Sequence, residues 1–352
     1  MEKIAIFFIA VYCIASPMCN AFAMQEKPTA AQFDLSEKAF DYVLEAISIM
    51  REHSYRSDQL DWDSIRTQML EKARGAEETK DTYDAIRFGT RLLGDRHSMF
   101  RPPRKPGSEN APMRSDFEIP LPKGKVLKGG IAYIWIPHFG QRGERVVDFA
   151  DMVHVLVKTL NRYQPKGWIV DLRDNGGGNM WPMVAGLGPL LGEGPIGHFT
   201  FRGETLHTWR YENGSSSMHT DGEQKFAVGV SVEPIPALGE SISIAVLTGP
   251  HTSSSGEATL VAFMGKENVR TFGLPTFGVP SANRGHPLSD GATLIISSSF
   301  YSDRLGREYK SSIPADTFVP YDTLSKSTRD SEDDPVIKRA RKWIDEHQGG
   351  QK

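Results

Sequence analysis

Ile131-Ala132-Tyr133-Ile134-Trp135-Ile136 and Trp168-Ile169-Val170-Asp171-Leu172 are short apolar runs rich in β-forming residues, and what lies between them decides the fold. Val146, Phe149, Val153, Leu156 and Leu160 recur there at helical spacing, so the segment reads strand, helix, strand. A third run, Ile242-Ser243-Ile244-Ala245-Val246-Leu247, leads into another helical stretch over residues 256–264. This alternation argues for an α/β core with a parallel component.

Upstream the periodicity is helical throughout. Ser36 precedes a stripe at Phe40, Val43, Leu44, Ile47 and Met50, the spacing of a helix with one buried face. A second stripe, Trp62, Ile65, Met69 and Ala73, follows Asp61 and can stop at Gly75, and a third runs through Tyr83, Ile86 and Leu93. Residues 101–128 hold six prolines and read as a connector with little structure of its own. Downstream, Asp334-Pro335 before Ile337, Ala340 and Ile344 gives a cap and a proline at the first helical position, so a terminal helix is expected. The resulting division is a helical subdomain over 24–100, the connector, an α/β core over 129–322 and a helix and tail over 323–352.

The chain has 352 residues, 39% of them hydrophobic and 24% charged, a globular composition with room for a sizeable core. Its net charge of −3 gives no general attraction to phosphate backbones or anionic lipid, so no nucleic-acid partner is expected. Residues 1–23 carry Lys3, an apolar run and the ending Asn20-Ala21-Phe22-Ala23, the pattern of a cleavable export signal. The run is shorter than the ~20 residues of a membrane-spanning helix. The expectation is therefore a periplasmic or secreted protein without a membrane span. Cys13 and Cys19 both fall inside this segment, so the mature chain has neither disulfides nor a cysteine nucleophile. Lipidation at Cys19 is the competing reading, poorly served by Pro17-Met18 before it.

Three segments can carry chemistry. Thr248-Gly249-Pro250-His251-Thr252-Ser253-Ser254-Ser255-Gly256-Glu257 lies between a buried strand and a helix, where a serine would stand at a helix N-terminus, as an acyl-transfer nucleophile requires. A polar loop with an N-cap is the simpler reading of the same residues. Val170-Asp171-Leu172-Arg173-Asp174-Asn175-Gly176-Gly177-Gly178-Asn179 puts three glycines after a strand, where backbone amides can approach a ligand closely. It lacks a phosphate-loop ending, which leaves an oxyanion-binding turn open. Asp95-Arg96-His97-Ser98 ends the third helix, and His97 matters only if a serine elsewhere needs a base.

Together these segments resemble the carboxyl-terminal processing protease and tricorn family of serine peptidases. That family has an Asp-x-His-Ser/Thr motif, a Val-Asp-Leu-Arg-x-Asn-x-Gly-Gly motif and a serine three places before a glutamate. Thr276-Phe277-Gly278 and Leu288-Ser289-Asp290-Gly291-Ala292 match two later family segments, and the match spans about residues 37–319. The resemblance implies a crotonase/Clp-like β-α core and an exported serine peptidase acting on peptides or unfolded proteins without a metal or organic cofactor. It implies Ser254 as nucleophile, with Ser253 and Ser255 as fallbacks, and an oxyanion hole from the N–H groups of Ser255 and Gly177, with Gly176 the alternative. Where the processing branch has a lysine base this chain has Val279, so the resemblance to the tricorn-like branch implies His97 as base. His251 is a weaker candidate, and Glu308 is the nearest match to that branch's catalytic glutamate. The interval from His97 to Gly129-Gly130 is too short for the peptide-binding PDZ module of many relatives. Two rivals use the same core: an esterase, and a non-catalytic binder of hydrophobic ligands like the interphotoreceptor retinoid-binding protein repeats. Oligomerisation is open.

Overall fold

A computed structural model describes residues 28–103, 120–323 and 330–348; the expected export signal lies outside them. The chain begins with three helices, α1 (Glu37–His53), α2 (Trp62–Lys72) and α3 (Tyr83–Leu92). Ser36 and Asp61 accept from the amides of Ala39 and Ser64, capping α1 and α2 as their side chains suggest. Strands β1 (Met99–Arg101), β2 (Lys123–Leu127) and β3 (Ile131–Trp135) lead to α4 (Arg145–Asn161), β4 (Gly167–Asp171) and α5 (Met180–Leu191). Four strands follow in succession: β5 (Gly194–Phe201), β6 (Glu204–Glu212), β7 (Ser215–Thr220) and β8 (Glu223–Gly229). The rest is β9 (Ser243–Thr248), α6 (Ser255–Phe263), β10 (Val269–Gly273), β11 (Ser281–Pro287), β12 (Thr293–Ser302), β13 (Glu308–Tyr309), β14 (Thr317–Phe318) and α7 (Pro335–Gln348).

The expected α/β core is present. One sheet has the order β14-β10-β9-β4-β3-β2, parallel except for β2. Its inner strands β3, β4 and β9 read as nearly unbroken apolar runs because both faces are covered. Trp168, Val170, Ile244 and Val246 face α4, α5 and α6 through Phe149, Val153, Met183 and Leu260. Ile169, Ala245 and Leu247 face the other way, onto Val336, Ile337, Ala340 and Ile344 of α7. Asp334 caps α7 with Oδ1, accepting from Val336 and Ile337.

The connector reading needs correction at both ends. Arg101 belongs to β1, and Lys123–Leu127 form β2, an edge strand whose first four residues are exposed. Lysines on an edge strand carry no apolar signal and discourage sheet-to-sheet pairing, so the strand was invisible to hydrophobic periodicity. A second, antiparallel sheet was also missed: β1-β12-β5-β6-β7-β8, with β11 and β13 on β12. Its hairpins turn at Asn213-Gly214 and Asp221-Gly222, all four residues at positive φ, and Asn-Gly and Asp-Gly are strong hairpin signals.

The helical subdomain shares its core with this second sheet. Phe40, Val43, Ile47, Met69 and Ile86 pack in one cluster with Phe100, Leu294 and Ile296. The 288–292 loop is the clasp: Tyr42 and Tyr83 each donate to an Asp290 carboxylate oxygen at 2.6 Å, and Glu45 accepts from the Ser289 N–H and hydroxyl.

Candidate active site

The turn after β9 and the turn after β4 leave adjacent parallel strands at their carboxyl ends, where open α/β sheets bind ligands. Ser254 stands at the first of these, immediately before α6, with φ 51° and ψ −118°. A non-glycine residue held there costs about 1–3 kcal/mol, which the surrounding contacts must offset. The two flanking serines are committed elsewhere. Ser253 Oγ donates to Gly176 O at 3.0 Å and Ser255 Oγ to Gly178 O at 2.9 Å. These bonds staple the serine turn to the glycine turn and leave Ser254 as the serine whose hydroxyl is not so tied.

The glycine turn comes within contact distance of this serine. A Cβ at Gly177 would lie 2.9 Å from Ser255 N and 3.0 Å from Ser254 Cβ, and one at Gly178 only 2.1 Å from Phe139 O. Both residues have positive φ, so only glycine fits. The expected amide donors, however, are already used. Gly177 N–H donates to Asn175 Oδ1 at 3.0 Å, and Gly176 N–H to Asp174 O at 3.1 Å. Phe139 pairs with the outer side of this segment through Gly177 O and Asn179 N–H. Gly178 O accepts from Ser255 Oγ, and Gly178 N–H has no acceptor among the described residues. Ser255 N–H likewise has none.

His97 is held from the helical side. Asp95 Oδ1 accepts from the N–H groups of His97 and Ser98, and its Oδ2 accepts from Ser98 Oγ at 2.5 Å, so the aspartate shapes the turn instead of touching the ring. The ring's Nδ1 lies 2.9 Å from Ser281 Oγ at the start of β11. Ser281 was not singled out from the sequence; its only local mark is a place two residues beyond the Val279 that replaces the processing branch's lysine. Arg96, next to His97, donates to Phe277 O at 3.1 Å and stacks over the Phe277 ring at 4.5 Å. Burial holds the imidazole below its ordinary value of 6.5, with Asp95 pulling the other way. The ring is therefore neutral near pH 7 and able to accept a proton.

Glu257 links both sides. Its Oε2 accepts from the N–H groups of Ser254 at 2.9 Å and Val279 at 3.0 Å, and its Oε1 from Thr276 Oγ1 at 2.6 Å and Gly278 N–H at 2.9 Å. It is fully buried. Burial raises its pKa, opposed by these four hydrogen bonds. One carboxylate thus fixes the serine turn and the 276–279 segment leading to Ser281, the partner of His97.

Ser254, Ser255, His97, Ser281 and Tyr301 line one cleft of about 540 Å³. Tyr301 is buried, and burial followed by the Glu257 charge keeps its phenol neutral. The other candidates lie elsewhere. Glu308 sits on β13, ion-paired to Lys310 at 2.7 Å, and does not line the cleft. Burial raises its pKa but the Lys310 hydrogen bond prevails, leaving it low. The sequence match to Glu308 is therefore corrected: the atom bonded to His97 Nδ1 is a serine hydroxyl. His251 is exposed on the β9–α6 turn and does not line the cleft. Among the nearby aromatics, Trp181 lines the cleft, Phe139 is core stacked on Phe149, and Trp135 borders a separate cavity. Among the described residues, no three His, Cys, Asp or Glu side chains group to hold a metal. No helix among them is long and apolar enough to cross a membrane.

Comparison with known proteins shows the family and the fold. The nisin-resistance protein of Lactococcus lactis subsp. lactis is 30% identical over 270 residues, covering 76% of this chain and 79% of that one. The structure of a lipoprotein from Streptococcus agalactiae matches with a TM-score of 0.65 at 22% identity, over 88% of this chain and 97% of that one. The photosystem II D1 C-terminal processing protease matches at 0.55 and 15% identity, over 86% and 97%. These two structures show the shared fold. The family model for Peptidase family S41 matches residues 130–317, more than half of the sequence, and the chain belongs to that family.

Proposed function

We propose that this chain is an exported serine peptidase that hydrolyses peptides through Ser254 and His97. The observation that carries the reading is the pairing in one cleft of a neutral, Nδ1-anchored imidazole with the one serine of three whose hydroxyl is not tied to the glycine turn. With Nδ1 engaged by Ser281, Nε2 is the nitrogen left to receive the Ser254 proton as Oγ attacks the scissile carbonyl. The developing oxyanion is held by Ser255 N–H and Gly178 N–H, which replace the expected Ser255 and Gly177 pair. His97 then gives its proton to the leaving amine, and water hydrolyses the acyl-enzyme by the same route. Export rests on the signal pattern of residues 1–23.

The test is hydrolysis of unfolded casein, mixed short peptides and nisin, the last suggested by the name of the Lactococcus relative. The mature protein is expected to cleave at least one of them. Ser254→Ala and His97→Ala should each lower kcat by about 10³-fold or more. A His97→Ala variant as active as the parent would remove histidine from the mechanism. Tight uptake of a lipid-like ligand without any hydrolysis would favour the binding module.

A further inference from the structure

Two arginines line the cleft beside the proposed nucleophile, and neither has a role in the chemistry above. Arg101 lies on β1, four residues beyond His97, and Arg142 lies in the loop following Phe139, on the glycine-turn side. Both side chains are exposed, and neither is ion-paired to a carboxylate among the described residues. Arg66, Arg74 and Arg87 of the helical subdomain, by contrast, are paired with Asp63, Glu71 and Asp84. No aspartate or glutamate lines the cleft, although the chain as a whole carries a net charge of −3. A cleft with charge of one sign concentrates ligands of the other, and a guanidinium fork suits the two oxygens of a carboxylate.

We infer that Arg101 and Arg142 select peptides carrying a carboxylate near the scissile bond, either the free C-terminal carboxylate or a glutamate or aspartate side chain. This rests on the reading of the cleft as a peptidase site and adds a substrate class to it. The arginines approach from two walls, one continuous with the helical subdomain and one with the glycine turn. A carboxylate between them fixes which stretch of the peptide lies over Ser254. The selection acts on substrate binding, before any bond is broken, and its interaction is partly screened by salt.

Binding is measured on the Ser254→Ala protein by fluorescence anisotropy, with a dansyl-labelled peptide of alanine and leucine in four forms. The forms combine a free or amidated C-terminus with an internal glutamate or glutamine. At least one carboxylate-bearing form is expected to bind about tenfold more tightly than the wholly neutral form. Which form it is separates tail from side-chain recognition. The preference should shrink with added salt and disappear when Arg101→Gln and Arg142→Gln are introduced together. Equal binding of all four forms, no binding of any, or a preference that survives the double substitution would overturn the inference. Labelling of wild-type Ser254 by an uncharged fluorophosphonate reads the nucleophile independently: a labelled protein without carboxylate preference fails this inference alone, and an unlabelled one fails the peptidase reading.

Discussion

Burial of the His97 ring lowers its pKa below the ordinary 6.5, and the Asp95 carboxylate offsets only part of that effect. In the proposed mechanism the base is the neutral imidazole, so activity is expected to be lost as pH falls through this lowered value and to be complete above it. The acid limb of kcat/KM is accordingly expected below pH 6.5. A limb near neutrality would mean that the ring is more solvated, or more strongly paired with a carboxylate, than its contacts indicate. The proposed nucleophile is readable at this scale because Ser254 and Glu257 are three residues apart, a local motif within one short segment. Ser281 and Gly178 were not readable. Ser281 meets His97 across 184 residues, and the choice among three consecutive glycines depends on which amide Asn175 and Asp174 have already taken.

Between elements, the Asp171-Leu172-Arg173 run is structural. Arg173 is completely buried, bonded to Asp171 through Nε and Nη2 and to Asp334 through Nη1 at 2.7 Å, and it ties the end of β4 to the cap of α7. Tyr133 completes the cluster by donating to Asp171 Oδ2 at 2.8 Å. Replacing the arginine leaves two buried carboxylates without their cation. Arg173→Leu is therefore expected to cost about 3–5 kcal/mol of stability, read from urea unfolding monitored by circular dichroism. A loss below about 1 kcal/mol would show that solvent reaches the aspartates. The same contrast explains what was legible among elements. The parallel strands announced themselves because two covered faces demand unbroken apolar residues. The β5–β8 hairpins have one or both faces in water, and only their turn residues marked them.

At the level of the whole molecule, the helical subdomain and the β-rich part of the core share one apolar cluster, closed by the Asp290 clasp. They should unfold together, with far-ultraviolet circular dichroism and tryptophan fluorescence giving coincident transitions. Two separated transitions would show that the histidine-bearing part is held only loosely. This matters because catalysis needs both parts: the proposed base comes from one and the nucleophile from the other. Glu257, through the segment it pins, joins the two in space. The most direct test is the rate at which a fluorophosphonate inactivates the mature protein, followed by mass spectrometry of the adduct. The expected result is a single adduct on Ser254, formed at a rate that rises through one ionisation below pH 6.5 and is nearly abolished in His97→Ala. An adduct on Ser253 or Ser255, or an unchanged rate in His97→Ala, would contradict it.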